Sequence, residues 1–200
     1  GLPAEAWNVL LPGDLKVVGP AADLQRLQRY LEVAATRLAE AGAGIVVFGS
    51  GGSRTPPPGY PVETALREYM DAAAMAAAAF APHGITVCIE PLCAAETPVL
   101  NTVVEACALV ASHGIANLRV TADLYHMCES GESPHLGEMV RWVGHAHVAD
   151  TGRLAPGTGD APIAAFLAGL KAGGYTGRVS IECSWQDFAA EAAPAISCLR

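Results

Sequence analysis

The chain has 200 residues, 52% of them hydrophobic and 16% charged, enough apolar side chain to bury the core of a single domain. Its net charge of -8 argues against a nucleic-acid partner, because non-specific affinity for nucleic acid is mainly electrostatic. The longest apolar stretch, around Ala72 to Ala81, is too short to span a bilayer, and no basic leader precedes a cleavage pattern, so neither membrane insertion nor export is expected.

In chain order, short apolar runs alternate with helical patterns. Trp7 to Leu11 reads as a strand, followed by a helix over Asp23 to Ala41 that Asp23 itself can cap. Gly44 to Phe48 reads as the second strand. The cluster Gly49-Ser-Gly-Gly-Ser-Arg54 lacks the Lys-Ser/Thr ending of a phosphate loop and runs into Pro56-Pro-Pro58, so it is expected to be a surface loop with Arg54 as a candidate substrate contact. A helix over Val62 to Phe80 follows, with Glu63 in its first turn. Four more strands are expected at Ile85 to Glu90, Leu118 to Asp123, Val143 to His147 and Arg178 to Glu182, with Ala-rich or amphipathic stretches between them. Gly42, Gly84, Gly114 and Gly173 or Gly174 stand where helices need a left-handed C-terminal residue. Asp160, ahead of Pro162, reads as the cap of a later helix, and Pro156-Gly-Thr-Gly159 before it is a faint candidate for an anion site. Repeated β-α units admit either a doubly wound sheet or a closed barrel.

The six cysteines show neither CxxC pairing nor the density of a disulfide scaffold, so reduced thiols in a cytoplasmic protein are expected, with Cys88 and Cys183 acting as small buried hydrophobes within strands. Chemistry gathers at strand ends. Glu90, Asp123, His147 and Glu182 each stand at or just beyond the C-terminal end of an apolar run, where parallel α/β folds place their sites. Pro91 restricts Glu90 to extended geometry. His126 follows Asp123 by three residues and can reach the same ligand, while His145 and His147 point the same way along a strand, so one can bind metal and the other support it. Arg153, in the next loop, offers a donor fork for a hydroxyl or phosphate.

Oxygen-rich ligation with one imidazole suits Mn²⁺ best, with Mg²⁺, Co²⁺ or Zn²⁺ admissible, and an open position would admit two oxygens of a hydroxy-carbonyl compound. Glu90 and Glu182 are then the natural acid/base pair for proton transfer beside a carbonyl. Only Lys16 and Lys171 occur and neither lies near these motifs, which disfavours Schiff-base chemistry.

These motifs, from Asn8-Val-Leu-Leu-Pro-Gly-Asp14 through Phe48-Gly-Ser-Gly-Gly-Ser-Arg54 and Asp123-Leu-Tyr-His126 to Ile181-Glu182, resemble the xylose isomerase-like superfamily of sugar isomerases and epimerases. The resemblance implies an α/β TIM barrel, with Glu90, Asp123, His147 and Glu182 as metal ligands and His126 and Arg153 as substrate-binding residues; His145 and Arg54 join them as substrate-side candidates from their places in the sequence alone. It also implies a metal-dependent isomerase or epimerase acting on a sugar or sugar phosphate. The family's ligands belong to its fifth to eighth strands, whereas Glu90 lies on the third strand here, so two N-terminal β-α units are expected to be missing. A barrel typically has about 250 residues, and exposed sheet edges would favour covering by association, hence a homo-oligomer. The rival readings are a truncated barrel that binds a sugar or partner without turnover, and a DNA repair enzyme like endonuclease IV. The latter would need several zinc ions, further histidines and a basic groove, and His83, His113 and His135 fall in helical or loop contexts.

Overall fold

Runs of Val, Ile and Phe that are apolar on both faces can be buried only between layers, and here they pair as one parallel sheet. The computed structural model describes residues 4–199. Strands β1 (Ala6–Trp7), β2 (Ile45–Phe48), β3 (Thr86–Ile89), β4 (Leu118–Asp123), β5 (Val143–Val148) and β6 (Val179–Ile181) lie side by side in chain order. The connections run through α1 (Leu24–Glu40), a single turn α2 (Gly51–Arg54), α3 (Val62–Phe80), α4 (Val103–His113), α5 (Leu124–Glu129) and α6 (Ile163–Ala172), and α7 (Phe188–Cys198) follows β6. All neighbouring strands are parallel, with Val46 opposite Val87 and Asp123 opposite His147. The sheet curls until its two edges face each other. Arg178 Nε lies 2.6 Å from Glu5 Oε2, and the Asn8 amide donates to Glu182 Oε1, so β1 and β6 meet across the open side. The result is an arc of a parallel barrel.

The core lies between the sheet and its helices. Ala65, Tyr69, Ala72, Ala73, Ala76, Ala77 and Phe80 form one buried face of α3, whose many small side chains let the helix pack closely on β3. Asp23 caps α1 as expected, accepting from the Arg26 amide at 2.8 Å. Gly84 and Gly114 are left-handed at φ 69° and 63°, as their places after helices require.

Four local expectations are corrected. β1 ends at Trp7 rather than Leu11, because Val9 takes φ 53°, which no strand allows. The glycine cluster is a helical turn with a buried end rather than a surface loop. Asp160 does not cap α6: its carboxylate accepts from Thr151 Oγ1 at 2.7 Å, while Pro162 stands at the cap position. Cys183 lies beyond β6 and is half-buried, whereas Cys88 is fully buried in β3. All six cysteines are free thiols. Among the described residues, no helix is long and apolar enough to cross a membrane.

Candidate metal centre

Each of the last four strands delivers one polar residue to the C-terminal rim. Glu90 follows β3 directly, Asp123 ends β4, His147 is the penultimate residue of β5 and Glu182 comes one residue after β6. Backbone pairing extends just far enough to hold the two glutamates, since the Glu90 amide donates to Phe48 O at 3.3 Å and the Glu182 amide to Val148 O at 3.1 Å. His147 Nδ1 is 2.8 Å from Glu90 Oε1, 2.9 Å from Glu182 Oε2 and 3.5 Å from Asp123 Oδ2. One donor atom from each of these residues falls within 4.8 Å of all the others.

A division between occupied and free atoms marks the site. Asp123 Oδ1 caps α5, accepting from the Tyr125 amide at 2.8 Å and the His126 amide at 3.2 Å, which leaves Oδ2 free. Glu182 gives Oε1 to the Asn8 amide and leaves Oε2 free. Glu90 Oε1, Asp123 Oδ2, His147 Nδ1 and Glu182 Oε2 are all buried without a hydrogen-bond partner. Leaving buried polar atoms unpaired is costly, and four such atoms converging on one point fit a divalent cation with hard oxygen donors and a single imidazole.

The electrostatics point the same way. Burial pushes Glu90 up to about 7, with Asp123 and Glu182 adding to the shift and His147 opposing it. For His147 burial disfavours charge, but contacts with Asp123, Glu182 and Glu90 overcome it and push the imidazole up to about 12. Three carboxylates around one ring therefore demand positive charge, which a dication would supply without protonating the ligand nitrogen.

His126 is buried beside this centre. Its Nδ1 accepts from the Cys93 amide at 3.1 Å, so the proton of the neutral ring sits on Nε2, which has no partner. That tautomer decides the use of a second cluster, Cys93, Glu96 and His126, whose donor atoms also lie within 4.8 Å of one another. A metal on Nε2 would require the proton at Nδ1, where the Cys93 amide already donates, so Nε2–H suits a ligand oxygen instead.

Arg153 stands in the loop after β5 with a left-handed backbone, φ 61°. Its Nη1 bonds Glu96 Oε1 at 2.8 Å, its Nη2 lies 3.5 Å from Glu182 Oε2, and its guanidinium stacks 5.2 Å from the Tyr125 ring centre. Sequence reasoning missed Glu96; the only signal was an acidic residue in the loop that follows a ligand strand. It also missed Asp150, a buried carboxylate that accepts from the amides of Thr151 at 2.8 Å, Gly157 at 2.8 Å and Ala161 at 2.9 Å. Burial works against ionisation of Asp150, yet the amides of Ala161, Thr151, Gly159 and Gly157 hold its pKa below the usual carboxylate value. Two of these amides, Gly157 and Gly159, belong to the Pro156–Gly159 loop considered as an anion site, and Asp150 already occupies them.

Two other candidates lie apart from the four converging donor atoms. His145 points the same way as His147, with ring centres 5.0 Å apart, but it bonds Ser180 Oγ at 2.9 Å and lines a cavity of about 610 Å³ between the strand starts of β1 and β6, beside Glu5 and Arg178. Burial pulls it down to about 4, so it stays neutral. Arg54 is wholly buried, its guanidinium 4.6 Å from the Tyr69 ring centre and its nitrogens without hydrogen-bond partners. It is held between α3 and the sheet rather than offered from a surface loop.

Parallel β-α units that bring a Glu-Asp-His-Glu set to the carboxyl rim define a barrel-type protein with a candidate metal centre. The model of the family described as "Xylose isomerase-like TIM barrel" matches residues 11–200, and the chain belongs to that family. It is similar to D-psicose 3-epimerase of Agrobacterium fabrum, at 36% identity over 103 residues covering 50% of this chain and 35% of that protein. It is also similar to 3-dehydro-D-guloside 4-epimerase of Escherichia coli, at 29% identity over 167 residues covering 80% of this chain and 62% of that protein. The chain thus spans about a third and about three fifths of these curated relatives, at 35% and 62% of their lengths. The apo crystal structure of 3-keto-D-glucoside 4-epimerase from E. coli superposes with a TM-score of 0.84 at 23% identity, over 100% of this chain and 79% of that one, and shows the shared fold.

Proposed function

We propose that this chain carries the metal-binding and proton-transfer part of a sugar epimerase or isomerase that acts beside a carbonyl group. The observation that carries the reading is the convergence of four buried, unpartnered donor atoms from Glu90, Asp123, His147 and Glu182. Similarity to two sugar epimerases supports the substrate class. A bound divalent cation, Mn²⁺ on the ligand chemistry, would polarise the substrate carbonyl.

The chain's own groups do the rest. Glu90 and Glu182 reach the centre from β3 and β6, with β4 and β5 between them, so they address the substrate from two sides. One takes the proton beside the carbonyl and the other returns one to the opposite face, which inverts that carbon. The Nε2–H of His126 donates to a substrate oxygen, and Arg153, braced by Glu96, presents its fork next to Glu182. Because Asp150 fills the amide cradle after β5, that loop offers no phosphate site, and an unphosphorylated sugar is the better fit.

The test is incubation with D-psicose in heavy water with Mn²⁺, followed by NMR. Deuterium should enter the carbon beside the carbonyl, and Glu90→Gln, Glu182→Gln and chelation should each abolish exchange. Sugar binding without exchange or turnover would favour the non-catalytic barrel and refute this reading. Product without exchange would assign a hydride shift and remove the proton-transfer roles.

A further inference from the structure

Two motifs near the start of the chain, Asn8-Val-Leu-Leu-Pro-Gly-Asp14 and Gly49-Ser-Gly-Gly-Ser-Arg54, supply no metal-ligating atom, yet both touch the residues that do. Asn8 follows β1 on the sheet edge opposite Glu182. Its Oδ1 accepts from the Val9 amide at 2.8 Å, which fixes the amide orientation and turns Nδ2 toward Glu182 Oε1. The turn that achieves this holds Val9 at φ 53°, a conformation that a β-branched residue adopts only at a cost. With Oε1 taken, Glu182 is left to present Oε2 beside His147 Nδ1 at 2.9 Å.

Gly49, one residue past β2, acts by leaving room. A Cβ built there would lie 2.2 Å from Glu90 Oε2 and 3.3 Å from its Cδ. Gly49 is not among the positive-φ glycines, so its backbone would accept alanine, and the obstacle is the Glu90 carboxylate itself. That carboxylate is the mobile end of a side chain. A methyl at Gly49 would therefore push the ligand aside while the surrounding backbone stayed in place.

Resting on the metal-centre reading above, we infer that Asn8 and Gly49 are positioning residues: Asn8 orients Glu182 by donating to its outer oxygen, and Gly49 seats Glu90 by offering no side chain. The first two strands thus set the geometry of a centre whose ligands come from the last four. The orientation of ligating carboxylates by such outer partners commonly governs metal affinity.

The test is Co²⁺ titration of the whole chain, read by calorimetry and by the visible spectrum of the bound ion, with thermal melts in chelator as the control for folding. Asn8→Ser keeps an acceptor for the Val9 amide, while its shorter side chain withdraws the donor from Glu182. Gly49→Ala adds the obstructing methyl, and Gly13→Ala, where a Cβ meets nothing within 4 Å, is its neutral comparison. Asn8→Ser and Gly49→Ala should each weaken Co²⁺ binding by about 10- to 100-fold and alter its spectrum, with melting in chelator close to that of the unaltered chain and Gly13→Ala unchanged. Unchanged affinity and spectrum in either variant would overturn its assignment, as would a metal-free melt that falls together with affinity. Failure of the unaltered chain to bind Co²⁺ would instead overturn the proposed function, and this inference with it.

Discussion

Replacing Glu90 by glutamine should change stability in opposite directions with and without metal. Without a cation, the ionised Glu90 sits buried beside two more carboxylates, and its pKa is raised from 4.5 to about 7. The sign follows from linkage: the folded state holds this proton more tightly than the unfolded state, so the stability present below pH 4.5 is lost as pH rises through 7. The shift is worth about 3 kcal/mol above that range. Glutamine cannot ionise, so near pH 8 in chelator Glu90→Gln should melt higher than the unaltered chain by about 6 to 12 °C, taking about 2 to 4 °C per kcal/mol for this size. At a thousandfold excess of Mn²⁺ over its Kd the unaltered chain gains about 4 kcal/mol, which reverses the order as long as the variant, lacking one ligand, gains less than about 1 kcal/mol. Paired calorimetric melts in chelator and in Mn²⁺ read both signs. A variant that is less stable in chelator, or equally stabilised by Mn²⁺, would refute the account of the site.

Other outcomes follow from neighbouring features. His145 is held neutral by burial, its pKa lowered from 6.5 to about 4, so the folded state binds fewer protons than the unfolded one. Its contribution, of order 3 kcal/mol, is present above pH 6.5 and lost as pH falls toward 4, and denaturant titrations of His145→Asn across that window should show a shallower loss. Arg54→Met should be neutral or stabilising by about 1 to 3 kcal/mol in urea unfolding, because it replaces a buried, unbonded charge with an apolar chain over Tyr69. Marked destabilisation would mean that the stacking outweighs burial of the charge. Val9→Gly should add about 1 kcal/mol to the unfolding free energy by relieving the left-handed backbone, offset in part by unfolded-state entropy.

The convergence of Glu90, Asp123, His147 and Glu182 was legible because it obeys two local rules at once: apolar runs mark the strands, and a polar residue stands at the end of each. Asp123 and His147 even share a pairing register, which follows from consecutive parallel strands. The residues that tune the set were hidden, because their partners lie far along the chain. Asn8 meets Glu182 across 174 positions, and Glu96 meets Arg153 across 57. The alternation around Trp7 to Leu11 favoured a longer strand, and nothing in Val9 announces a positive φ. The glycine cluster suggested a loose loop, since composition cannot tell a flexible segment from a helical turn that buries Ser53 and Arg54. Asp150 looked like any loop aspartate until its amide partners came together.

Among the described residues, the non-glycine ones with left-handed backbone, Val9, Ser50, Leu100 and Arg153, sit in the connections leaving β1, β2, β3 and β5. One mouth of the arc therefore concentrates the awkward backbone, while the regular helix-to-strand returns form its sturdy floor. Thermostability screens should find most of their gains at the mouth, where they would loosen the grip on Glu90 and Glu182. Exchanges in the floor connections would leave that grip alone, which makes them the safer place to graft new sequence.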